Sequence, residues 1–538
     1  MSHTLRMLAV IAAVLGCLST AGAAENAPLE RGAAVTDPYA LRELDGGRFA
    51  LARVLGAKAL GAKASGGALA PASQADTPLT NSELFALPSM APVRTALDQE
   101  FEQYVAKHKS ELPNESIGVG DSFAFQLFDR ALLYSDHTRF VLSGIINRMD
   151  RAYVAPETCG EIRLIYRLVR TDLPQQVGDD AVSPRLPMTL NVVLKAKGDR
   201  TADGRGVAIT CAEIARRWLA TSDWTFTGKE LADKLTAPGG PLDLVTPDDL
   251  ERIETNLQIA HAPKSAVRDF RTDYLMNVFD LDARSQVFAQ APMEDQIDRD
   301  RLLSDSGLRQ AFKTWLLDPQ HFSELDRGTL VIPPEFLAKH AIAPTPVGFA
   351  VSNLQPEFGL VQGDEGTTDP LFSKDDVVTA LQKAAERGMP TQNIRSVAGF
   401  ERRLNDITCA GCHQTRGIGG FHFPGVDWMQ KHPSNSTFVP ASPHFFGDQI
   451  RRRDILAAFR DGRTPDFSRG FSNRPQLRGS TELAGTEYED GWGSHCYQPM
   501  PDAKDNDTSF RSWTCAAGLA CQVVDKASRM GMCFIKTR

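Results

Sequence analysis

Apolar and polar residues alternate with period two over 161–169, where Ile162, Leu164, Tyr166 and Leu168 are separated by Arg163 and Arg167. The same alternation runs over 188–195, with Met188, Leu190, Val192 and Leu194 set against Thr189, Asn191 and Lys195. Period two with one polar face predicts an antiparallel sheet packed on one side and wet on the other. Helical spacing takes over elsewhere. Leu97, Phe101, Tyr104 and Val105 form one stripe over 94–108. Thr210 and Glu213 stand at capping-box spacing before Cys211, Ile214, Ala215, Trp218 and Leu219, which predicts a helix after the strands.

From 246 to 390 the pattern reads as mostly helical. Thr246-Pro247-Asp248-Asp249 opens a predicted helix with Leu250, Ile253 and Leu257 inward. Another carries Leu308, Phe312, Trp315 and Leu316, and a third starts at Ser373 with Asp376 and stops at Gly388. Phe400, Leu404 and Ile407 mark a further amphipathic helix starting near Ser396.

These elements predict an α+β, multidomain chain. Its 538 residues suggest about three to four domains. The divisions expected are a signal peptide over 1–24, a flexible N-terminal region and linker over 25–90, an antiparallel sheet plus helix domain over 91–245, and a helical region over 246–372. A helical haem region follows over 373–485, then a small disulfide-rich module over 486–538. The linker expectation rests on the Ala/Gly/Ser-rich run 52–80, which holds no aromatic residue.

The N-terminus changes the compartment. His3 and Arg6 precede the apolar run Met7–Leu18, and Ala21-Gly22-Ala23 offers the small-x-small pattern of signal cleavage. That run is too short to span a bilayer, and no later run of 18 apolar residues occurs. The mature chain is expected in the periplasm or secreted, with no transmembrane segment. Val14-Leu15-Gly16-Cys17 offers the alternative of a lipid anchor at Cys17. Net charge is -8 with interspersed signs, and no basic domain stands out, so nucleic acid is not an expected partner.

Nine cysteines then matter, because eight lie beyond the signal. Export favours disulfides. Cys159 and Cys211 are expected to pair, the alternative being two free thiols. Cys496, Cys515, Cys521 and Cys533 are expected to form two bridges within the C-terminal module, in any of three pairings. A second zinc or haem site is the competing reading there, but the segment has no CxxC. The module is expected to act as a surface cap or docking tag.

Residues 409–413 read Cys-Ala-Gly-Cys-His. At this spacing Cys409 and Cys412 can form thioethers with the two haem vinyl groups, while His413 supplies the proximal imidazole to iron. The alternatives are a CxxC disulfide or half a zinc site, which need a thioredoxin-like context or a second ligand pair. The motif and its surroundings over 396–430 resemble c-type cytochromes. The resemblance implies one haem c per chain, a redox-active iron, attachment by the periplasmic haem-attachment machinery, and a redox partner protein. The distal ligand is left open between Met429, His422, a later residue (His432, His444, His495 or Met500) and an open site. The Gly- and aromatic-rich loop Gly417–Met429 holds the first two. Blocks around Asn147-Arg148-Met149-Asp150, Cys159-Gly160-Glu161 and Cys211-Ala212-Glu213 resemble an uncharacterised family of large exported bacterial proteins, which implies no activity.

Arg451-Arg452-Arg453 reads as a solvated basic face, the alternative being neutralisation of haem propionates. Asp505-Asn506-Asp507 lacks the Gly and Glu of a calcium loop, and Asp364, Glu365 and Asp369 read as a wet loop. Electron transfer is the expected function. A haem-dependent oxidoreductase of peroxidase or oxygenase type is the alternative, and a haem-containing binding or sensing protein the second.

Overall fold

The computed structural model describes residues 31–59, 78–111, 115–117, 130–172, 185–197, 200–201, 208–263, 271–345, 371–389, 391, 394, 396–408, 445, 448–469, 495–499, 514–515, 519–523 and 530–535. The expected signal peptide, Cys17, the run 60–77, the acidic loop at 364–369 and Asp505–Asp507 lie outside them.

The main sheet is antiparallel throughout. Its strands are β1 (Ala34–Val35), β2 (Glu115–Ile117), β3 (Thr138–Arg148), β4 (Glu161–Arg170), β5 (Arg185–Lys195), β6 (Leu250–Pro263), β7 (Arg271–Leu281), β8 (Phe288–Ala291) and β9 (His340–Thr345). The order is β1-β3-β4-β5-β6-β7-β8, with β2 pairing β6 and β9 pairing β7. The alternation at 161–169 and 188–195 thus marks two neighbouring central strands.

One sheet face is apolar. Ile162, Leu164, Tyr166 and Leu168 of β4 and Met188, Leu190, Val192 and Leu194 of β5 share a core with Ile253, Leu257 and Phe279. The helices Ala91–Glu111, Cys211–Leu219 and Gly228–Thr236 close this face, each with an apolar stripe. Trp218 is fully buried there. Among the described residues, no helix is long and apolar enough to cross a membrane.

Three expectations need correction. First, Thr246 caps a single 3-10 turn, Pro247–Asp249, and the chain continues as strand β6 instead of a helix. Ile253 and Leu257 are four apart, which suits a helix face, but four is also even and suits one face of a strand. The arbiters are Thr255 and Ile259 on that same face and Arg252, Glu254, Asn256 and Gln258 on the other. With β7, β8 and β9 also extended, the middle of the chain is helical chiefly over Arg299–Ser304, Ser306–Leu316 and Pro319–Arg327. The sheet runs across residue 245 without a break.

Second, the flexible region expected over 25–90 does not hold for 31–59 and 78–90. Leu41, Leu44, Phe49, Val54, Leu84, Phe85 and Met90 belong to the main core. Third, the polar sheet face is not wet. Arg163, Arg167, Thr189 and Asn191 are all buried. Alternation reports which residues share a face, and carries no information about what covers it.

A second core joins Ile297, Phe312, Phe322, Phe336, Phe372 and Phe400 around the helices Ser306–Leu316, Lys374–Glu386 and Val397–Ile407. Ser373 and Asp376 make the expected capping box. The C-terminal module is a three-stranded antiparallel sheet in the order β10 (His495–Tyr497), β12 (Met530–Ile535), β11 (Leu519–Val523). Bridges Cys496–Cys521 and Cys515–Cys533 staple it. All four thiols are used, and β12 lies against the helix Gln449–Arg460.

Candidate functional site

The segment leading to the Cys-Ala-Gly-Cys-His motif is an anchored helix, Val397–Ile407. The Ser396 hydroxyl accepts the Gly399 amide at 3.0 Å, as an N-cap does. Phe400 stacks on Phe322 at 5.6 Å and meets Phe372 edge-on at 5.3 Å. Leu404 and Ile407 are buried with it. Arg403, fully buried, donates to the carbonyls of Leu325 (2.9 Å), Asp326 and Arg469 (2.7 Å). Two of these acceptors end the helix Pro319–Arg327, where orphan carbonyls favour a cation. The buried Thr408 then delivers the chain to Cys409. Cys409, Cys412, His413, His422, Met429, His432, His444 and Met500 lie outside the described residues, and His495 stands in β10.

Strand β3 ends at Arg148 and turns through Met149–Arg151, which presents Asp150. Gly160 permits this turn. Its φ is +90°, and a Cβ there would stand 2.5 Å from the Arg148 carbonyl oxygen, closer than any side chain tolerates. Asp150 is the hub of an ion network. Arg148 Nε donates to Oδ1 at 2.8 Å. Oδ2 accepts from Arg451 at 2.9 Å and Arg469 at 3.1 Å, with Arg452 Nε 4.0 Å away. Asp448, at the start of the helix Gln449–Arg460, binds Arg451 Nε at 2.7 Å and Arg452 Nε at 2.9 Å.

All six residues are buried, so Arg451 and Arg452 do not form the expected solvated basic face. Leu456 of the same helix belongs to the main core, and this apolar anchoring turns the arginines inward. Arg451 Nη1 and Arg452 Nη1 are buried without a hydrogen-bond acceptor. Leaving such donors unmet costs about 1–3 kcal/mol each, more for charged groups. Burial acts against the Asp150 charge, yet Arg148, Arg452, Arg451 and Arg469 together hold its carboxyl well below the usual range. Arg148 itself is pulled down to about 9 by burial and by the neighbouring Arg452, Arg163 and Arg151, despite Asp150.

A second network lies beside it on the polar face. Glu161 pairs with Arg151, Arg163 and Arg252, the last at 2.7 Å. Glu254 pairs with Arg163 at 3.1 Å and Arg252 at 3.2 Å, and Glu294 with Arg151. The three arginines, Glu254 and Glu294 line a cavity of about 170 Å³ together with Asp280 and Asp295. Burial opposes the Glu161 charge, but Arg252, Arg151 and Arg163 hold its carboxyl well below the usual range.

The stripe of Ala91–Glu111 that faces the sheet also carries polar groups. Tyr104 donates to Asp273 at 2.7 Å, and Asn277 of β7 donates to Glu100. Burial raises the Glu100 carboxyl to about 8, against the Asn277 hydrogen bond, so this group holds its proton at neutral pH.

The expected bridge Cys159–Cys211 is present. It joins the residue before Gly160 to the first turn of Cys211–Leu219, the helix on which Gln449–Arg460 packs. The bridge therefore clamps the Asp150 turn to the elements that carry Arg451 and Arg452. Sequence reasoning noted the blocks Asn147–Asp150 and Arg451–Arg453 but did not join them. The contact spans 301 positions, and no local period encodes it. No protein family, curated protein or solved structure matches this chain.

Proposed function

We propose that this chain is an exported c-type cytochrome that holds one haem through Cys409, Cys412 and His413 and serves in electron transfer to a partner protein. The observation that carries the reading is the Cys-Ala-Gly-Cys-His motif directly after a buried, anchored helix. Two thiols and an imidazole at this spacing are the donor set that covalent haem requires. When bound, the haem supplies a one-electron iron couple. The chain's own contribution is positional. Phe400, Leu404 and Arg403 fix the helix that delivers Cys409. The three disulfides support an oxidising compartment, where haem attachment takes place.

Denatured protein from a haem-attaching host should retain a haem-peroxidase stain on a gel. Cys409→Ala with Cys412→Ala should abolish it, and unchanged covalent haem in that double variant refutes the assignment. A low-spin, six-coordinate iron in both oxidation states supports electron transfer. A high-spin iron that binds cyanide or carbon monoxide readily supports the enzyme or sensing alternatives instead.

A further inference from the structure

We propose that Arg148, Arg451, Arg452 and Arg469, gathered on Asp150 and Asp448, form a buried receptor for an oxyanion of the carboxylate or phosphate class. Among the described residues the cluster holds four guanidinium groups and two carboxylates. One oxygen, Asp150 Oδ2, serves Arg451 and Arg469 and has Arg148 Nη2 at 3.3 Å and Arg452 Nε at 4.0 Å. Its acceptor capacity is exhausted while Arg451 Nη1 and Arg452 Nη1 still have no acceptor. Arg451 and Arg452 are no more than 3% exposed, so bulk water does not supply those acceptors. Buried cations of this kind are paired, and planar guanidinium forks match carboxylate and phosphate oxygens.

Two sources share this chemistry. One is the propionate carboxylates of a covalently attached haem, which rests on the cytochrome reading. Arg403, in the helix that delivers Cys409, bonds the Arg469 carbonyl, and the Arg469 side chain reaches Asp150. The motif's helix is thus hydrogen-bonded to a residue of the receptor itself. The other source is a free oxyanion drawn from solution.

The test uses the full-length chain from a haem-attaching host and the full-length Cys409→Ala/Cys412→Ala chain, each with and without Arg452→Gln. Arg452→Lys preserves the charge. Inorganic phosphate is titrated calorimetrically, and the midpoint potential of the haem-bearing chain is measured. If propionates fill the receptor, Arg452→Gln lowers the potential, Arg452→Lys restores it, and only the haem-free chain binds phosphate. If the occupant is free, both chains bind phosphate, at least tenfold more weakly with Arg452→Gln, and the potential does not move. No phosphate binding in either chain together with an unmoved potential overturns the proposal, as does phosphate binding that Arg452→Gln leaves unchanged. If no haem is attached, the cytochrome reading fails alone and the phosphate titration still decides the receptor. The titration of the unsubstituted chains needs no folded arginine variant.

Discussion

Two buried ion networks lie side by side on the polar face of the sheet and solve the same problem differently. Around Glu161, three arginines (Arg151, Arg163, Arg252) meet three buried or half-buried glutamates, Glu161, Glu254 and Glu294, and each arginine reaches at least two of them or a flanking carboxylate. Around Asp150, four arginines share two aspartates. Removing charges from water is costly, and attraction offsets that only where partners match in number and geometry. In the first network arginines and glutamates match in number, and in the second Arg451 Nη1 and Arg452 Nη1 find no acceptor. The oxyanion proposed above would supply the acceptors that the second network lacks.

The largest effect expected is from Asp150→Asn, which removes the carboxylate that Arg148, Arg451 and Arg469 share. It should cost about 3–5 kcal/mol, the range for breaking a buried pair, read as a lower midpoint in urea unfolding. A variant within 1 kcal/mol of the parent would erase the contrast between the networks.

Next is the clamp. Replacing Cys159 and Cys211 by Ser opens a loop with sequence separation 52. The chain-entropy expectation is about 4 kcal/mol, with measured losses often smaller. Because the bridge holds the Asp150 turn against the helix beneath Arg451 and Arg452, the double variant should lose the phosphate response of the arginine cluster as well as stability. Loss of stability alone would confine the bridge to a scaffold role.

Glu254→Gln sharpens the comparison from the balanced side. Arg163 and Arg252 keep Glu161 as a partner. The loss should therefore fall nearer the cost of an unmet polar group, about 1–3 kcal/mol, than that of a stranded charge. An effect equal to that of Asp150→Asn would mean that the two networks are equivalent.

Glu100 shows a third solution, in which a buried carboxyl avoids the charge. Its proton is retained up to about pH 8 in the folded chain, while the unfolded chain releases it near the ordinary value of 4.5. Unfolding between those values releases a proton, so this group makes stability fall as pH rises, by at most about 1.4 kcal/mol per pH unit. Glu100→Gln should flatten that slope in a series of unfolding curves from pH 5 to 8. Asp150 and Glu161 act in the opposite sense. Their folded values lie well below 3.8 and 4.5, so their contribution is present above those values and lost as pH falls through the acid range. A slope that Glu100→Gln does not change would place the proton elsewhere.

Local pattern alone determined the two central strands at 161–170 and 185–195, the helices Ala91–Glu111, Cys211–Leu219 and Lys374–Glu386, and the helix that ends just before Cys409. It did so because side-chain periods of 2.0 and 3.6 are properties of neighbouring residues. The pairing of Cys159 with Cys211 was legible from the chain for the same reason, since both flank one sheet-to-helix unit. Strand β6 was misread because its apolar spacing of four fits both periods. Only the tertiary structure decided that Cys496 joins Cys521 and Cys515 joins Cys533, because every pairing of the four is equally compatible with their order. It alone also decided that Arg451 and Arg452 are buried on Asp150, 301 and 302 positions away by their numbering. An arginine in sequence is a charge whose meaning depends on the dielectric around it and on the partners it meets. Both are set by which distant segments fold over it, and no local period records that.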